Sequence, residues 1–410
     1  PVINPEDPIN PPAGKASIIL DNVTTDNVIN STEGAQANVP VTGTVRGDFT
    51  SGDVVTLTIN SKTFTGEVAA NGTFTINVPG ADLLADGDKT IAASVAAHDV
   101  AGNLGIVSAT KVYSTNTTVV TTTVDITSIS LDTGASSSDF ITNDNNGLTV
   151  NAALSTGLTT GQKLFYSKDN GVTWTDITSS VSGTGVSHID SSLTTTATVK
   201  MRVQDAVGNN GTADTQLITI DNTAPAPVVN PEDPLNPPAG KASITLNSVT
   251  ADNIVNAAEG AQDNVAITGT VRGEFIAGDV VTLTLNAKTF TGEVAANGTF
   301  SINVLGTDLL ADSDKQIDAT VAAHDAAGNV GLVSTTKDYN TNTSAVTTMV
   351  DITSISDDTG VSTVDFITND ATLIVQGSTT GFDSNTQKVF VQVIKDSDSS
   401  VVATEYVGVG

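Results

Sequence analysis

Residues 54–78 read VVTLTINSKTFTGEVAANGTFTINV. In Val54-Val55-Thr56-Leu57-Thr58-Ile59 apolar and polar side chains take turns. A period of two is the mark of a strand with one buried face. Thr63–Val68 and Thr73–Val78 continue the pattern with residues that favour strands. Asn71-Gly72 between them is a two-residue hairpin signal, because both residues tolerate positive φ. Asn297-Gly298 gives a second.

Outward from this stretch, Ser17–Val23, Val39–Val45, Thr90–Ala96 and Ile106–Val112 also read as strands. Seven short strands in about 100 residues predict an immunoglobulin-like sandwich. No stretch sustains a helical apolar period, and Ala81–Ala85 amounts to one helical turn. The pattern then returns. Residues 1–150 recur at 227–376, an offset of 226 that carries Pro5-Glu6-Asp7-Pro8 onto Pro231-Glu232-Asp233-Pro234 and Asp139–Asp144 onto Asp365–Asp370. A long period of this kind governs the whole architecture. The expectation is an all-β chain of tandem immunoglobulin-like β-sandwich domains arranged as an elongated rod. Its parts are a proline-rich linker (1–15), unit one (16–124), unit two (125–221), a second linker (222–241), unit three (242–350, a copy of the first) and unit four (351–410). Unit two has strands at Leu148–Ala153, Lys163–Ser167, Ala197–Gln204 and Gln216–Ile220. Unit four starts like unit two, loses the repeat near Asp370 and is too short for seven strands. With no leader before Pro1, the expectation is a piece of a longer protein cut inside its last domain. The prolines fix φ and remove donors, so both linkers are expected to be extended and semi-rigid.

The 410 residues carry 45 acidic and 16 basic side chains, a net charge of −29. That balance argues against nucleic acid and anionic membrane surfaces, and for oxygen ligation of hard cations. No apolar run is long enough to span a membrane. There is no cysteine, so stability must come from cores and bound ions.

Three acidic patterns are candidate metal ligands. Asp99-Val100-Ala101-Gly102-Asn103 recurs as Asp205–Asn209 and Asp325–Asn329. Each falls between the last two expected strands of its unit, so Asp99, Asn103, Asp205, Asn209, Asp325 and Asn329 are candidates. A second cluster is Asp125, Asp132, Asp139, Asn143 and Asp144, matched by Asp351, Asp357, Asp358, Asp365, Asn369 and Asp370; Asp221 closes unit two. A third is Asp26, Asn27, Asn30 and Glu33, echoed by Asp252, Asn253, Asn256 and Glu259. Each has a plain reading as turn chemistry. Topology adds a reason to read more. Strand alternation is expected to turn Asp26–Glu33 and Asp82–Asp88 of unit one toward Asp125 and the Asp205–Asn209 loop. Converging carboxylates repel unless a cation bridges them, and Ca²⁺ accepts six to eight oxygens flexibly.

The D-x-x-G-N loops, Asp221-Asn222-Thr223-Ala224-Pro225 and the Val-Thr-x-Asp-Asn-x-(Ile/Val)-Asn-x-x-Glu run together resemble the bacterial Ig-like repeats of giant biofilm-associated adhesins, including the repeats-in-toxin type. The resemblance covers nearly the whole chain and is weakest after Asp370. It implies non-enzymatic extender domains on the bacterial surface that support adhesion and biofilm formation, stiffened by Ca²⁺ at interdomain junctions. It also implies a monomer whose contacts are its own neighbouring repeats, secreted by the type I route. Two other readings stay open: a glycan- or protein-binding module, for which unit four is the candidate, and an accessory region of a secreted glycan-degrading enzyme.

Other motifs have plainer explanations. Arg46-Gly47-Asp48 becomes Arg272-Gly273-Glu274 in the repeat and reads as a turn. Ser167-Lys168-Asp169-Asn170-Gly171-Val172-Thr173-Trp174 fits an Asp-box hairpin with Trp174 as a core anchor. His98-Asp99 and His324-Asp325 lack any visible nucleophile or oxyanion donors.

Overall fold

The computed structural model describes residues 7–229, 232–383, 385, 387–395 and 397–407. The first six residues of the expected first linker, and Asn230 and Pro231 of the second, lie outside the described residues.

Unit one runs β1 (Ala16–Leu20), β2 (Val28–Asn30), α1 (Ser31–Gly34), β3 (Val39–Gly47), β4 (Val54–Ile59), β5 (Lys62–Glu67), β6 (Thr73–Val78), α2 (Gly80–Ala85), β7 (Thr90–His98), β8 (Leu104–Val112) and β9 (Ser114–Asn116). One sheet has the order β1-β3-β6 and the other β5-β4-β7-β8. β2 and β9 form a small parallel pair. The alternation translates directly into burial: Val55, Leu57 and Ile59 of β4 point inward while Val54 and Thr58 stay exposed. Leu57, Leu83, Ile91 and Val95 are fully enclosed in the core between the sheets. Each such side chain contributes about 1.5–3 kcal/mol by leaving water. Residues 242–342 repeat this arrangement around their own core.

One local expectation is corrected. Asn71-Gly72 does not join a hairpin, because β5 and β6 belong to different sheets. Gly72 alone has positive φ, at 84°, and its carbonyl accepts from the Val45 N–H. A Cβ there would sit 2.4 Å from the Val45 carbonyl oxygen, so the glycine serves an inter-sheet corner. The tight hairpin is β4–β5 at Asn60-Ser61, both with positive φ (52° and 61°), echoed by Asn286-Ala287. Serine and alanine carry little signal for that turn. The expected helical turn is the six-residue α2.

Unit two runs β10 (Val124–Ile129), β11 (Ile141–Thr142), β12 (Leu148–Leu154), β13 (Lys163–Ser167), β14 (Thr175–Asp176), β15 (Val181–Ser182), β16 (Gly185–Asp190), β17 (Ala197–Gln204) and β18 (Asp214–Ile220). Its sheets are ordered β10-β12-β16-β15 and β11-β18-β17-β13-β14 around a separate core. The Asp-box segment is a hairpin held by Asp169, but Trp174 is half-buried rather than central. The Arg202 guanidinium lies 4.0 Å over its ring, and the indole N–H donates to the Gly171 carbonyl.

The second proline-rich segment is not a free spacer. Ala226–Pro227 adds a parallel strand beside Lys241–Leu246, and Val228 N–H donates to the Ala242 carbonyl. The Pro225 carbonyl lies where a Cβ on Gly331 would be, 1.9 Å away. Lys241 pairs with Glu232 at 2.7 Å, and Ser243 Oγ donates to the Pro234 carbonyl. In unit four, the described residues form two antiparallel pairs, Met349–Ile355 with Val375–Thr380 and Val389–Ile394 with Val401–Val407.

Candidate functional site: the contacts between units

The D-x-x-G-N loops are built by their own aspartates. Asp205 Oδ1 accepts from Val207 N–H and Asn209 N–H, and Asp205 Oδ2 accepts from Asn209 Nδ2. Gly208 takes positive φ, 91°, which lets the loop turn back to Asp205. The result is a rigid tip, and in unit two that tip meets unit one. Asn209 is 2% exposed. Its Oδ1 accepts from Ser31 N–H at 2.7 Å and from Ser31 Oγ at 2.6 Å, while Nδ2 donates to the Asn116 carbonyl at 3.0 Å. Asn30 Nδ2 donates to the Val207 carbonyl at 2.8 Å, and Asn210 Nδ2 to Thr32 Oγ1. The free N–H of a helix start is thus capped by a side chain from the next unit. An amide side chain has two donor hydrogens and two acceptor lone pairs. Asn209 uses all four within the protein, leaving no oxygen lone pair for a cation.

Other candidates of the first junction are local. Asp26 Oδ1 accepts from Val28 N–H and Thr24 Oγ1. Asn27, at φ 62°, ties Val23 N–H to the Val112 carbonyl. Glu33 closes a capping box with Asn30. Asp252, Asn253, Asn256 and Glu259 repeat these roles. The expected convergence of Asp82–Asp88 and Asp125 on the junction does not occur. Asp82 is buried inside unit one with Lys62 at 2.6 Å. Asp86 receives the buried hydroxyl of Tyr113 at 3.1 Å. Asp125 is exposed. The Asp99–Asn103 loop has the same internal bonds as its copies and is exposed.

The second junction uses a different partner. Thr133 Oγ1 donates to the Ala327 carbonyl at 2.5 Å, and Asn329 Nδ2 to the Asp221 carbonyl at 2.8 Å. A Cβ on Gly134 would lie 2.0 Å from the Ala326 carbonyl oxygen. Asp325 is buried and, like Asp205, holds its loop through Asn329. Beside this contact lies the 131–146 loop, where Asp132 Oδ2 accepts from Phe140 N–H while Oδ1 is buried without a hydrogen-bond partner among the described residues. Burial, and then the neighbouring Asp139 carboxylate, push the Asp132 carboxyl above its ordinary range. Asp139 and Asp144 each accept one backbone N–H of their own turn, and Asn143 N–H donates to Thr133 Oγ1. Unit four repeats the orphan at Asp358 Oδ1, with Asp365, Asn369 and Asp370 bonded within the loop. Asp357 has φ 51° and Asp351 is exposed. Among the described residues no three histidine or acidic side chains are assembled into a metal-holding group. No described helix is long and apolar enough to cross a membrane.

Sequence reasoning missed one pairing. His98 does not partner Asp99; its Nδ1 lies 2.7 Å from Asp53 Oδ1, 45 residues away, and His324 faces Asp279 at 2.6 Å. Burial raises the Asp53 carboxyl, but bonds from Thr50 N–H, His98 N–H and the imidazole outweigh it and hold Asp53 low. No local pattern marks a contact between β7 and the turn before β4.

No family model and no curated protein matches the chain. Solved structures do. Part of a 1.5-MDa bacterial ice-binding adhesin, studied for host cell surface retention, is 31% identical over 80% of this chain and 98% of its own, with a TM-score of 0.35. A Ca²⁺-stabilised adhesin with which an Antarctic bacterium reaches out and binds ice is 31% identical over 85% of this chain and 78% of its own, TM-score 0.32. A bacterial immunoglobulin-like domain of the M. primoryensis ice-binding adhesin is 38% identical over 25% of this chain and 98% of its own, TM-score 0.23. The likeness rests on identity over these lengths, not on superposition.

Proposed function

The chain belongs to the bacterial immunoglobulin-like repeats of large adhesins, and from that premise we propose that it is a non-enzymatic spacer of the bacterial surface. Its units, bounded as the repeat divides them, hold an adhesive partner away from the cell and so serve adhesion and biofilm formation. The chain works as a monomer, and export by the type I route accompanies this reading. The observation that carries it is the saturated Asn209 contact: the end of one sandwich is hydrogen-bonded into the start of the next. A row of sandwiches joined in this way transmits load without needing a cleft for chemistry.

Calcium belongs to the proposal at a narrower place than the acidic pattern suggests. Asn209 has no oxygen to give. The Asp132–Asp139 pair does: a buried, unpartnered carboxylate oxygen beside a second carboxylate suits a hard cation, and the same orphan recurs at Asp358. One relative is described as Ca²⁺-stabilised. Extracellular calcium modules bind at about 10⁻⁴–10⁻³ M. At tenfold excess over Kd one site stabilises by about 1.4 kcal/mol, enough to stiffen a loop at a junction and too little to fold a domain. Small-angle scattering of the whole chain with calcium and with chelator tests this, using Asp132→Asn as the second arm. The expected result is a loosening on chelation that the variant shows even in calcium. Superimposable profiles in all arms would remove calcium from the account.

A further inference from the structure

Unit two holds a cleft of about 380 Å³ that the spacer role leaves unused. It opens where the two sheets part. β13 supplies Tyr166 and Ser167, the hairpin after it Lys168 and Thr173, β14 Thr175, and β16 with its following turn His188 to Ser192. Its volume is within the range of small-molecule sites. We propose that this cleft binds a neutral sugar residue of a glycan.

The floor is prearranged. Tyr166, 4% exposed, donates its hydroxyl to Asp190 Oδ2 at 3.1 Å, joining the two sheets. Asp190 Oδ1 accepts from Ser192 N–H and Ser192 Oγ. The His188 ring packs on Tyr166 at 4.7 Å, and burial keeps it below its ordinary pKa, so it is neutral at pH 7. Asp169 fixes the hairpin rim through Thr173 N–H, Thr173 Oγ1 and Ser167 Oγ.

What remains for a ligand selects its class. Asp190, the carboxylate in the lining, is held by Tyr166 and Ser192 and faces the Lys168 ammonium, so the cleft carries no uncompensated negative charge to draw a cation. One lysine, Lys168, reaches across to Ser192 Oγ at 2.5 Å. A single ammonium in a chain of net charge −29 is a poor trap for an anion. The exposed Thr175 and Ser191 hydroxyls, two remaining Lys168 hydrogens and the neutral imidazole mix donors with acceptors at short spacing. Ile189, 75% exposed, alternates with His188 and Asp190 along β16 and so points to the other face of the strand, which leaves the half-buried His188 ring as the apolar surface of this wall. Hydroxyls paired with hydroxyls, plus a C–H face on the His188 ring, describe a sugar ring.

Saturation-transfer NMR on the whole chain tests this, with free glucose, galactose, mannose and N-acetylglucosamine at millimolar concentrations as probes. At least one should show saturable transfer. Ser191→Trp, an exposed position that fills the cleft, should abolish it. Ser191→Ala and Thr175→Val should each weaken binding by about three- to tenfold, the worth of one hydrogen bond. Amide spectra of each variant report the fold. Absence of transfer from all four sugars, or equal transfer to folded Ser191→Trp, would overturn the assignment.

Discussion

Replacing Asn209 with alanine isolates what joins the first two units. The substitution removes two bonds from Ser31 (2.7 and 2.6 Å) and one to the Asn116 carbonyl (3.0 Å), all between units, and one to Asp205 inside the loop. Each nets about 0.5–1.5 kcal/mol, so the three that cross the junction amount to about 2–4 kcal/mol. Ser31→Ala keeps the N–H bond and loses only the hydroxyl, about 1 kcal/mol. Hydrogen exchange at the Ser31 amide reads this locally, because its only described acceptor is Asn209. Exchange there should speed up by about 30- to 1,000-fold in Asn209→Ala and by about fivefold in Ser31→Ala. Amides of β4 and β7, deep in unit one, should not change. If the Ser31 amide exchanges at the same rate in wild type and Asn209→Ala, the contact does not hold in solution and the reasoning fails.

Gly331→Ala should destabilise unit three by about 1–3 kcal/mol in chemical denaturation, since the new methyl meets the Pro225 carbonyl at 1.9 Å; Gly105→Ala, whose nearest atom is 4.0 Å away, should fall within about 0.5 kcal/mol of wild type. Ala287→Gly should stabilise unit three by about 0.5–1 kcal/mol, because alanine sits at φ 56° in the hairpin turn, and thermal melting reads the gain. The Asp169 carboxyl is held down to about 2, first by the Thr173 hydroxyl and then by Thr173 N–H, from an ordinary 3.8. Its folded pKa is depressed, so its contribution is complete above 3.8 and fades as pH falls toward 2. Trp174 fluorescence should therefore stay constant down to about pH 3 and change with a midpoint near pH 2.

The sandwich was legible because β4, β6 and β7 alternate without interruption, and a period of two with one buried face has few other solutions. The repeat divided the chain into units, and the D-x-x-G-N loops fall where the strand reading put them, between β7 and β8 and between β17 and β18. Their chemistry was not legible. In sequence, Asp205 and Asn209 look alike as oxygen donors; only the fold reveals that Asp205 is spent on its own loop and Asn209 on Ser31. The Asn71-Gly72 hairpin failed because turn residues specify local φ, not which sheet the next strand joins. His98 and Asp53 could not be paired, since 45 residues separate them.

Residual dipolar couplings from units one and two, measured on the whole chain, test the central claim most directly. The account predicts one shared alignment tensor for both units, unchanged when calcium is chelated, because direct hydrogen bonds make that junction. Two tensors of different magnitude would mean independently moving units and would contradict it.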